Sequence, residues 1–322
     1  MTGNKPGGGL SDREYGPEDG PAMLSAGLAA GIPAAGFGSV GRGPRLLSGG
    51  GRRATVVSTV STLVVLAALV AIFLAAPGSG QVRHTFFDPR DMWQSFVGDP
   101  AKGYYSVGAA IWLNIRMFLA AEVVILILAL GIALIRQSTG PVLFPLRVLA
   151  MIYVDFFRGV PLLLVVYAVG FGLPALRLSF ISTQSYAVYG VIALVLSYSA
   201  YVSEVYRAGL NSVHRSQVAA ARSLGLTHGT ALRYVILPQA IRNIVPPLLN
   251  DFISLQKDTA LVGVLGAIEA NQAAQIYGST VFNYSSLTVA AILFLLLTIP
   301  LARFTDRLID RDRRRRLAGA VT

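Results

Sequence analysis

The sequence predicts an all-α membrane protein with about six transmembrane helices. Of its 322 residues, 54% are hydrophobic and 13% are charged, whereas charged residues make up about a quarter of an ordinary soluble domain. The apolar residues fall in blocks close to the length of about 20 residues with which a helix crosses a hydrocarbon core. These two observations place the chain among membrane proteins.

Residues 1–53 are predicted to be a disordered cytoplasmic tail, because they are rich in Gly, Pro, Ala and Ser and show no helical or strand periodicity. The uncharged run 54–76 is the first predicted transmembrane helix. A secretory signal peptide is the alternative, since Arg52 and Arg53 precede this run. A signal core is only about 7 to 15 residues long and lies near the N terminus. The pattern therefore favours a retained helix.

A predicted extracytoplasmic loop, residues 77–105, separates the first helix from the next apolar spans. The second span runs from about residue 106 to 135, the third begins at Pro161, and the fourth begins at Tyr186. Each is apolar over nearly the length that a membrane requires.

The fifth span, residues 241–274, contains prolines and charged residues, so we expect it to be broken or to line a path enclosed by protein. The sixth span ends near Phe304, and residues 305–322 form a predicted basic cytoplasmic tail. An even number of spans places both termini on one side, and the arginine bias predicts that this side is the cytoplasm. The predicted outer loops hold only four basic residues: Arg83, Arg90, Lys102 and Arg177.

The longest polar interruption between spans covers about residues 207–238 and lies on the predicted cytoplasmic side. It is predicted to form two short helices. Gly225 is placed to end the first in a left-handed conformation, Thr227 to cap the second, and Pro238 to stop it. The result would be a compact knob facing the cytoplasm.

This interruption resembles the cytoplasmic loop of permease subunits in ATP-binding-cassette (ABC) importers. The family pattern is Glu-Ala-Ala, three residues, Gly, nine residues and Ile-x-Leu-Pro. Here Ala219-Ala220-Ala221, Gly225 and Val235-Ile236-Leu237-Pro238 follow the same spacing. Two residues depart from the pattern, because Ala219 stands where glutamate is usual and Val235 stands for isoleucine.

Three further elements resemble the polar amino acid branch of that family, which includes histidine, glutamine and glutamate importers that depend on a binding protein. They are Arg158-Gly159-Val160-Pro161, Glu204 to Arg207, and Lys257-Asp258-Thr259. The resemblance covers roughly residues 106 to 310. It implies a type I importer permease fold, with a permease core at 106–304 and a cytoplasmic coupling helix.

The resemblance also implies what the protein does and where. It implies a bacterial cytoplasmic membrane protein that translocates a polar amino acid, with glutamate or glutamine as the expected substrate. It implies separate ABC ATPase subunits, an extracytoplasmic substrate-binding protein and a second permease subunit, identical or related. The residues implied to couple transport to the ATPase are Ala219, Ala220, Ala221, Gly225 and Pro238.

The chain is not expected to be an enzyme or to bind a cofactor itself. A P-loop needs Gly-Lys-Ser/Thr, and none of the three lysines, Lys5, Lys102 and Lys257, follows a glycine. ATP and Mg²⁺ would therefore be used by the partner ATPase. With no cysteine and three scattered histidines, no metal site is expected. The net charge is +11, and the basic residues lie beside apolar spans. This placement favours contact with membrane lipid over nucleic acid.

Charged and strongly polar residues within spans are costly in lipid and are therefore candidates for a substrate path. The candidates are Glu122, Arg158, Glu204, Asn250, Asp251, Lys257 and Asp258. Several of these residues have a structural alternative. Lys257 and Asp258 could form an ion pair that fixes the break in the fifth span, and Glu204 could pair with Arg207 along one helix face. The Arg158 side chain could extend to the membrane boundary.

Two other functions remain open from sequence. An ion-gradient-driven secondary amino acid transporter or channel would also use broken helices and buried charges, although no internal repeat is visible. A membrane enzyme is disfavoured because no cluster of His, Cys or carboxylates has catalytic spacing.

Overall fold

The computed structural model describes residues 52–319, and every regular element in that range is a helix. The chain divides after Phe73 into two units. Helix α1 (Arg52–Ala75) contains the uncharged run Thr55–Ala75, which is long and apolar enough to cross a membrane. Of the tail predicted to be disordered, residues 1–53, positions 1–51 lie outside the described residues.

The predicted loop at 77–105 contains two short helices, α2 (Ser79–Phe86) and α3 (Pro89–Val97), and a 3₁₀ turn at Pro100–Lys102. Asp88 starts α3, because its Oδ1 accepts a hydrogen bond from the Arg90 backbone N–H at 2.9 Å and proline follows at the first helical position. The segment is thus a structured element.

The permease core predicted at 106–304 begins with α4 (Val107–Gln137), which Ser106 caps by accepting from the Ala109 N–H at 2.9 Å. Next come α5 (Phe144–Gly159) and α6 (Leu162–Ala175), which are bent by 110° at the break between them. Pro161 lies at this break and cannot donate a backbone hydrogen bond. Helix α7 (Tyr186–Asn211) follows.

The main core lies between α4, α7 and the segments that follow the cytoplasmic loop. Its fully buried members include Ala121 and Ile125 of α4, Leu194 of α7, and Leu255 and Val262 further along the chain. Small residues on α4 allow close approach of the helices, and such packing contributes strongly where lipid removes the ordinary hydrophobic driving force.

The interruption at 207–238 contains α8 (Arg215–Ser223), α9 (His228–Ala231) and a π-helical turn at Leu232–Ile236. The prediction that Pro238 stops a helix is wrong, because Pro238 lies in the first turn of α10 (Leu237–Asp258). A proline fits there without loss of an internal donor, and the wider preceding turn accommodates the change in hydrogen bonding.

The predicted break in the fifth span is confirmed, and it lies at Asp258, where α10 gives way to a 3₁₀ segment at Thr259–Leu265. Pro246 and Pro247 do not break α10. Helix α11 (Ala270–Val281) and helix α12 (Ser285–Gly319) complete the described chain. The basic tail predicted at 305–322 continues α12 as far as Gly319.

Within the described residues, four helices are long and apolar enough to cross a membrane: α1, α4, α7 and α12. The bent pair α5–α6 raises the number to five if it counts as one span. Helix α10 does not meet the same criterion, since Arg242, Asp251, Lys257 and Asp258 make it more polar. The predicted count of six is therefore not confirmed.

Candidate functional site

The knob between α7 and α10 has the geometry predicted for Gly225. This glycine has a φ of +82°, its N–H donates to the Arg222 carbonyl at 3.0 Å, and the Leu226 N–H donates to the Ala221 carbonyl at 3.2 Å. These two bonds close a Schellman motif, which terminates α8 with one defined direction. Thr227 caps the next helix as predicted, because its Oγ1 accepts from the Thr230 N–H at 3.3 Å.

The knob presents a small-residue surface with one large apolar side chain. Ala219 and Ala220 are exposed on α8, and Leu224 is 83% exposed beside the turn. Ala221, in contrast, is buried. Of the three alanines, therefore, Ala219 and Ala220 can meet another protein directly, whereas Ala221 supports the knob from within.

The base of the knob is attached to both flanking helices. Val213 packs with Ala240 and Ile244 of α10, and the Asn243 side chain donates to Ser212 Oγ at 2.7 Å. These contacts connect the base of the knob to α7 and α10.

Glu204 lies near the end of α7 and is held by two arginines. It accepts hydrogen bonds from Arg207, one turn further on, as the pairing alternative predicts. It also accepts from Nη1 of Arg136 on α4 at 2.6 Å. The carboxylate thus joins α4 to α7 next to the knob, and it is already fully engaged.

Glu122 lies on α4 and Asp251 lies on α10. Both are half-buried, and they lie close enough to interact electrostatically. The contact of Phe118 with Phe252, with ring centroids 4.6 Å apart, fixes these two helices at the same level. Asp251 Oδ2 is buried and has no hydrogen-bond partner among the described residues.

Asp258 and Lys257 behave differently from the ion pair considered above. Asp258 Oδ2 accepts a hydrogen bond from the Tyr198 hydroxyl of α7 at 2.6 Å. Lys257 is exposed, and within the described residues no carboxylate lies within the 4.0 Å ion-pair distance of it. The break in the helix is therefore not fixed by a Lys257–Asp258 ion pair.

Arg158 and Asn250 are not brought to the carboxylates. Arg158 is exposed near the end of α5, and its backbone carbonyl accepts from the Tyr201 hydroxyl at 3.3 Å. Asn250 is exposed on α10. In the part of the chain that the structure describes, neither side chain hydrogen-bonds to Glu122, Asp251 or Asp258.

Sequence reasoning missed a buried polar cluster around Asn114. Its amide Nδ2 donates to Thr259 Oγ1 at 3.1 Å and to Glu269 Oε2 at 3.0 Å, and its Oδ1 accepts from the Ala270 N–H at 3.0 Å. Glu269, which is 0% exposed, also caps α11. A search of the spans for Asn and Gln as well as charges would have found Asn114.

The chemistry available here is binding and conformational coupling. Among residues 52–319, no group of three or more His, Cys, Asp or Glu side chains could hold a metal ion. The carboxylates and hydroxyls of α4, α7 and α10 offer polar contacts, and the knob connects α7 to α10.

The sequence matches the family described as "Binding-protein-dependent transport system inner membrane component" over residues 142–315. It is 37% identical to the "Probable glutamine ABC transporter permease protein GlnM" of Bacillus subtilis over 55% of this chain and 79% of that protein. It is 34% identical to the "Arginine transport system permease protein ArtQ" of the same organism over 62% of this chain and 88% of that protein.

Solved structures give the same picture. The chain is similar to "an amino acid ABC transporter with histidines", with a TM-score of 0.59 and 32% identity over 64% of this chain and 93% of that one. A methionine ABC transporter, MetNI, has a TM-score of 0.54 at 17% identity over 67% and 99% of the two chains, which shows the fold alone. These likenesses confirm the predicted all-α importer fold, and the range matched by the family contains both the knob and α10.

Proposed function

Because this chain belongs to the family of binding-protein-dependent transport system inner membrane components, we propose that it translocates a polar amino acid through an ATP-driven importer. It is the permease component of an amino acid ABC importer. Glutamine and glutamate are the proposed substrates. The names of relatives that handle glutamine and arginine support a polar amino acid.

The observation that carries this proposal is the geometry of the knob. Its left-handed Gly225 and its exposed Ala219 and Ala220 create a rigid, narrow projection, which suits insertion into a groove of a partner protein. We assign Ala219 and Ala220 to direct contact with the ATPase. Ala221, Gly225 and Pro238 hold the shape and direction of the knob.

The proposed substrate path follows the polar faces of α4, α7 and α10. Glu122, Asp251 and Asp258 supply acceptors there, and Lys257 supplies a cation near the end of α10. A zwitterionic amino acid requires both kinds of partner. Arg158 and Asn250 are proposed to contact the substrate separately from these carboxylates, and Glu204 acts through the helix-to-helix contacts with its two arginines.

Membership of this family implies partner ATPases and a substrate-binding protein. We propose in addition a second permease subunit, contacts with membrane lipid, and use of ATP and Mg²⁺ by the ATPase alone. The chain is a multi-pass membrane protein. Its proposed place is the bacterial cytoplasmic membrane, with both termini in the cytoplasm. The family match does not favour the ion-gradient-driven transporter considered above.

The experiment that tests this proposal is isolation of the complex in detergent from its native cells. Its subunits would be identified by mass spectrometry, and the co-purified binding protein would be screened against the common amino acids by calorimetry. The expected result is an ATPase subunit and a binding protein selective for glutamine or glutamate. A binding protein that prefers an apolar amino acid, or a complex without an ATPase, would contradict the proposal.

A further inference from the structure

An apolar groove lies between α3 and α12, away from the knob and the polar faces of α4, α7 and α10. The groove has a volume of about 380 Å³, within the range of small-molecule pockets. Its walls include Met92, Trp93 and Phe96 from α3 and Ile292, Leu293 and Leu296 from α12. Every lining side chain is apolar.

The groove is built by fixed elements. The Asp88 N–H donates to Ser285 Oγ at 2.9 Å, and the Tyr277 hydroxyl donates to Asp91 Oδ1 at 2.8 Å. Burial, with the neighbouring Asp91 as a second cause, raises the pKa of Tyr277 above its usual range, so this hydroxyl stays protonated and continues to donate. The position of α3 against α11 and α12 is therefore set before any ligand arrives.

The shape and lining of the groove indicate what it holds. An apolar groove gives water no hydrogen-bond partners, and its lining lacks dispersion contacts where no apolar group covers it. Its α12 wall follows a transmembrane helix for about 6 Å from Ile292 to Leu296, and both side chains are exposed. Trp93, 67% exposed, is the residue type that marks a membrane interface. A lipid acyl chain, which is a chain of methylene groups, would cover the apolar lining, run along α12 and lie at the interface that Trp93 marks.

A cation stands beside the groove at the same interface. Arg90 is exposed and lies three residues before Trp93, hence on a neighbouring part of the helix surface. Among the described residues, no carboxylate lies within the 4.0 Å ion-pair distance of its guanidinium. We propose that this groove binds one acyl chain of an anionic phospholipid, with Arg90 contacting the phosphate group.

The chain has two tryptophans, which makes the site directly observable by fluorescence. In a Trp112→Phe variant, Trp93 alone reports on the groove; in a Trp93→Phe variant, Trp112, which is 61% exposed on α4, reports on lipid elsewhere. Each full-length variant would be reconstituted into phosphatidylcholine vesicles. Phosphatidylglycerol with brominated acyl chains would then be added in increasing fraction, and brominated phosphatidylcholine would be added in a parallel series.

Trp93 should reach half of its maximal quenching at a fraction of brominated phosphatidylglycerol about fivefold lower than that of brominated phosphatidylcholine, the factor that one arginine contributes at an anionic surface. Trp112 should show no such preference once Arg116, an exposed arginine four residues further along α4, is replaced by Gln in the same variant. Arg90→Gln should abolish the preference. Ile292→Phe with Leu296→Phe should fill the groove and reduce quenching of Trp93 by either lipid. Leu295→Phe, at an exposed position on the same helix outside the lining, should not.

Two results would overturn the inference. Equal quenching curves for Trp93 and Trp112 with both lipids would show only bulk lipid contact. A Trp93 that no brominated lipid quenches would show that protein covers the groove. Circular dichroism of each variant would confirm that its helices are retained.

Discussion

Gly225 is the residue whose conformation matters most for the proposed coupling. A left-handed backbone costs an L-residue with a side chain about 1–2 kcal/mol, more if it is β-branched. The space around a Cβ at this position is open, so steric crowding does not add to the effect. Any consequence of substitution therefore comes from the backbone and the direction of the knob.

Gly225→Val should separate the permease from its ATPase and abolish uptake while leaving the protein in the membrane. Gly229→Val is the matched control, because Gly229 is also free of neighbours but does not have a positive φ. It should keep most of the activity. Ala219→Glu should also be mild, since this position is exposed and the family commonly has glutamate there. Co-purification of the ATPase and uptake of labelled substrate would be measured, and an active Gly225→Val complex would remove the coupling role.

Lys257→Ala and Asp258→Ala should each impair uptake at unchanged protein level. The first removes the cation near the end of α10. The second also leaves the Tyr198 hydroxyl without its acceptor, which costs about 1–3 kcal/mol for a buried group. Tyr198→Phe is the control that removes the same hydrogen bond but keeps the carboxylate, so it should retain more uptake than Asp258→Ala. Normal uptake kinetics in both alanine variants would exclude these residues from the path.

The residues of the knob are predictable because capping depends on a few neighbours in sequence. Such a pattern identifies Gly225 and Thr227, and both have the expected geometry. The contact of Asn114 with Glu269 joins positions 155 residues apart. No local pattern specifies that contact, and the same holds for the second arginine on Glu204, which comes from another helix.

At the scale of elements, the 3₁₀ segment Thr259–Leu265 packs against α6 and α7 at two glycines. Leu265 occupies the space where a side chain at Gly170 of α6 would lie, with its Cγ 2.9 Å from that Cβ position. Val262 fills the corresponding space at Gly190 of α7. This segment follows the break in the proposed substrate path, so its position bears on transport.

Gly170→Ala should destabilise the protein by about 1–3 kcal/mol, because overpacking displaces a buried side chain. Gly172→Ala lies two residues away on α6, where a Cβ meets nothing within 4 Å, and alanine there should be neutral or slightly stabilising. Thermal melting of both variants in the same detergent would test this. Equal melting temperatures would mean that the segment can move aside without cost.

The existence of the elements is more predictable than their limits. The charges of the fifth span predict a break, because charged groups in a span require irregular or protected surroundings, and the break lies at Asp258. The prolines are less informative. Pro238 lies in the first turn of α10, and Pro246 and Pro247 lie within the helix. A helix tolerates proline in its first turn, and neighbouring helices compensate for lost backbone bonds in a membrane. The number of spans is hard to predict for the same reason, because charges and prolines decide whether α10 counts as a span.

At the scale of the whole molecule, the orientation of the chain decides whether the knob can reach an ATPase. The chain contains no cysteine, so single cysteines can be introduced cleanly at exposed sites. A membrane-impermeant maleimide should label the Lys102→Cys variant in intact cells, because the arginine bias places that loop outside. It should label the Leu224→Cys variant only after permeabilisation. Labelling in the reverse order would invert the topology.

ATP hydrolysis by a partner subunit is proposed to drive amino acid uptake through this chain. The most direct test reconstitutes the purified permease complex with its ATPase and binding protein into sealed vesicles and measures uptake of labelled glutamine or glutamate. One half of the samples would contain ATP together with ionophores that collapse all ion gradients. The other half would keep its ion gradients but contain no ATP. Uptake that requires ATP and continues without ion gradients is the predicted result. Uptake that proceeds without ATP and stops when the ion gradients are collapsed would contradict this mechanism and favour a secondary transporter.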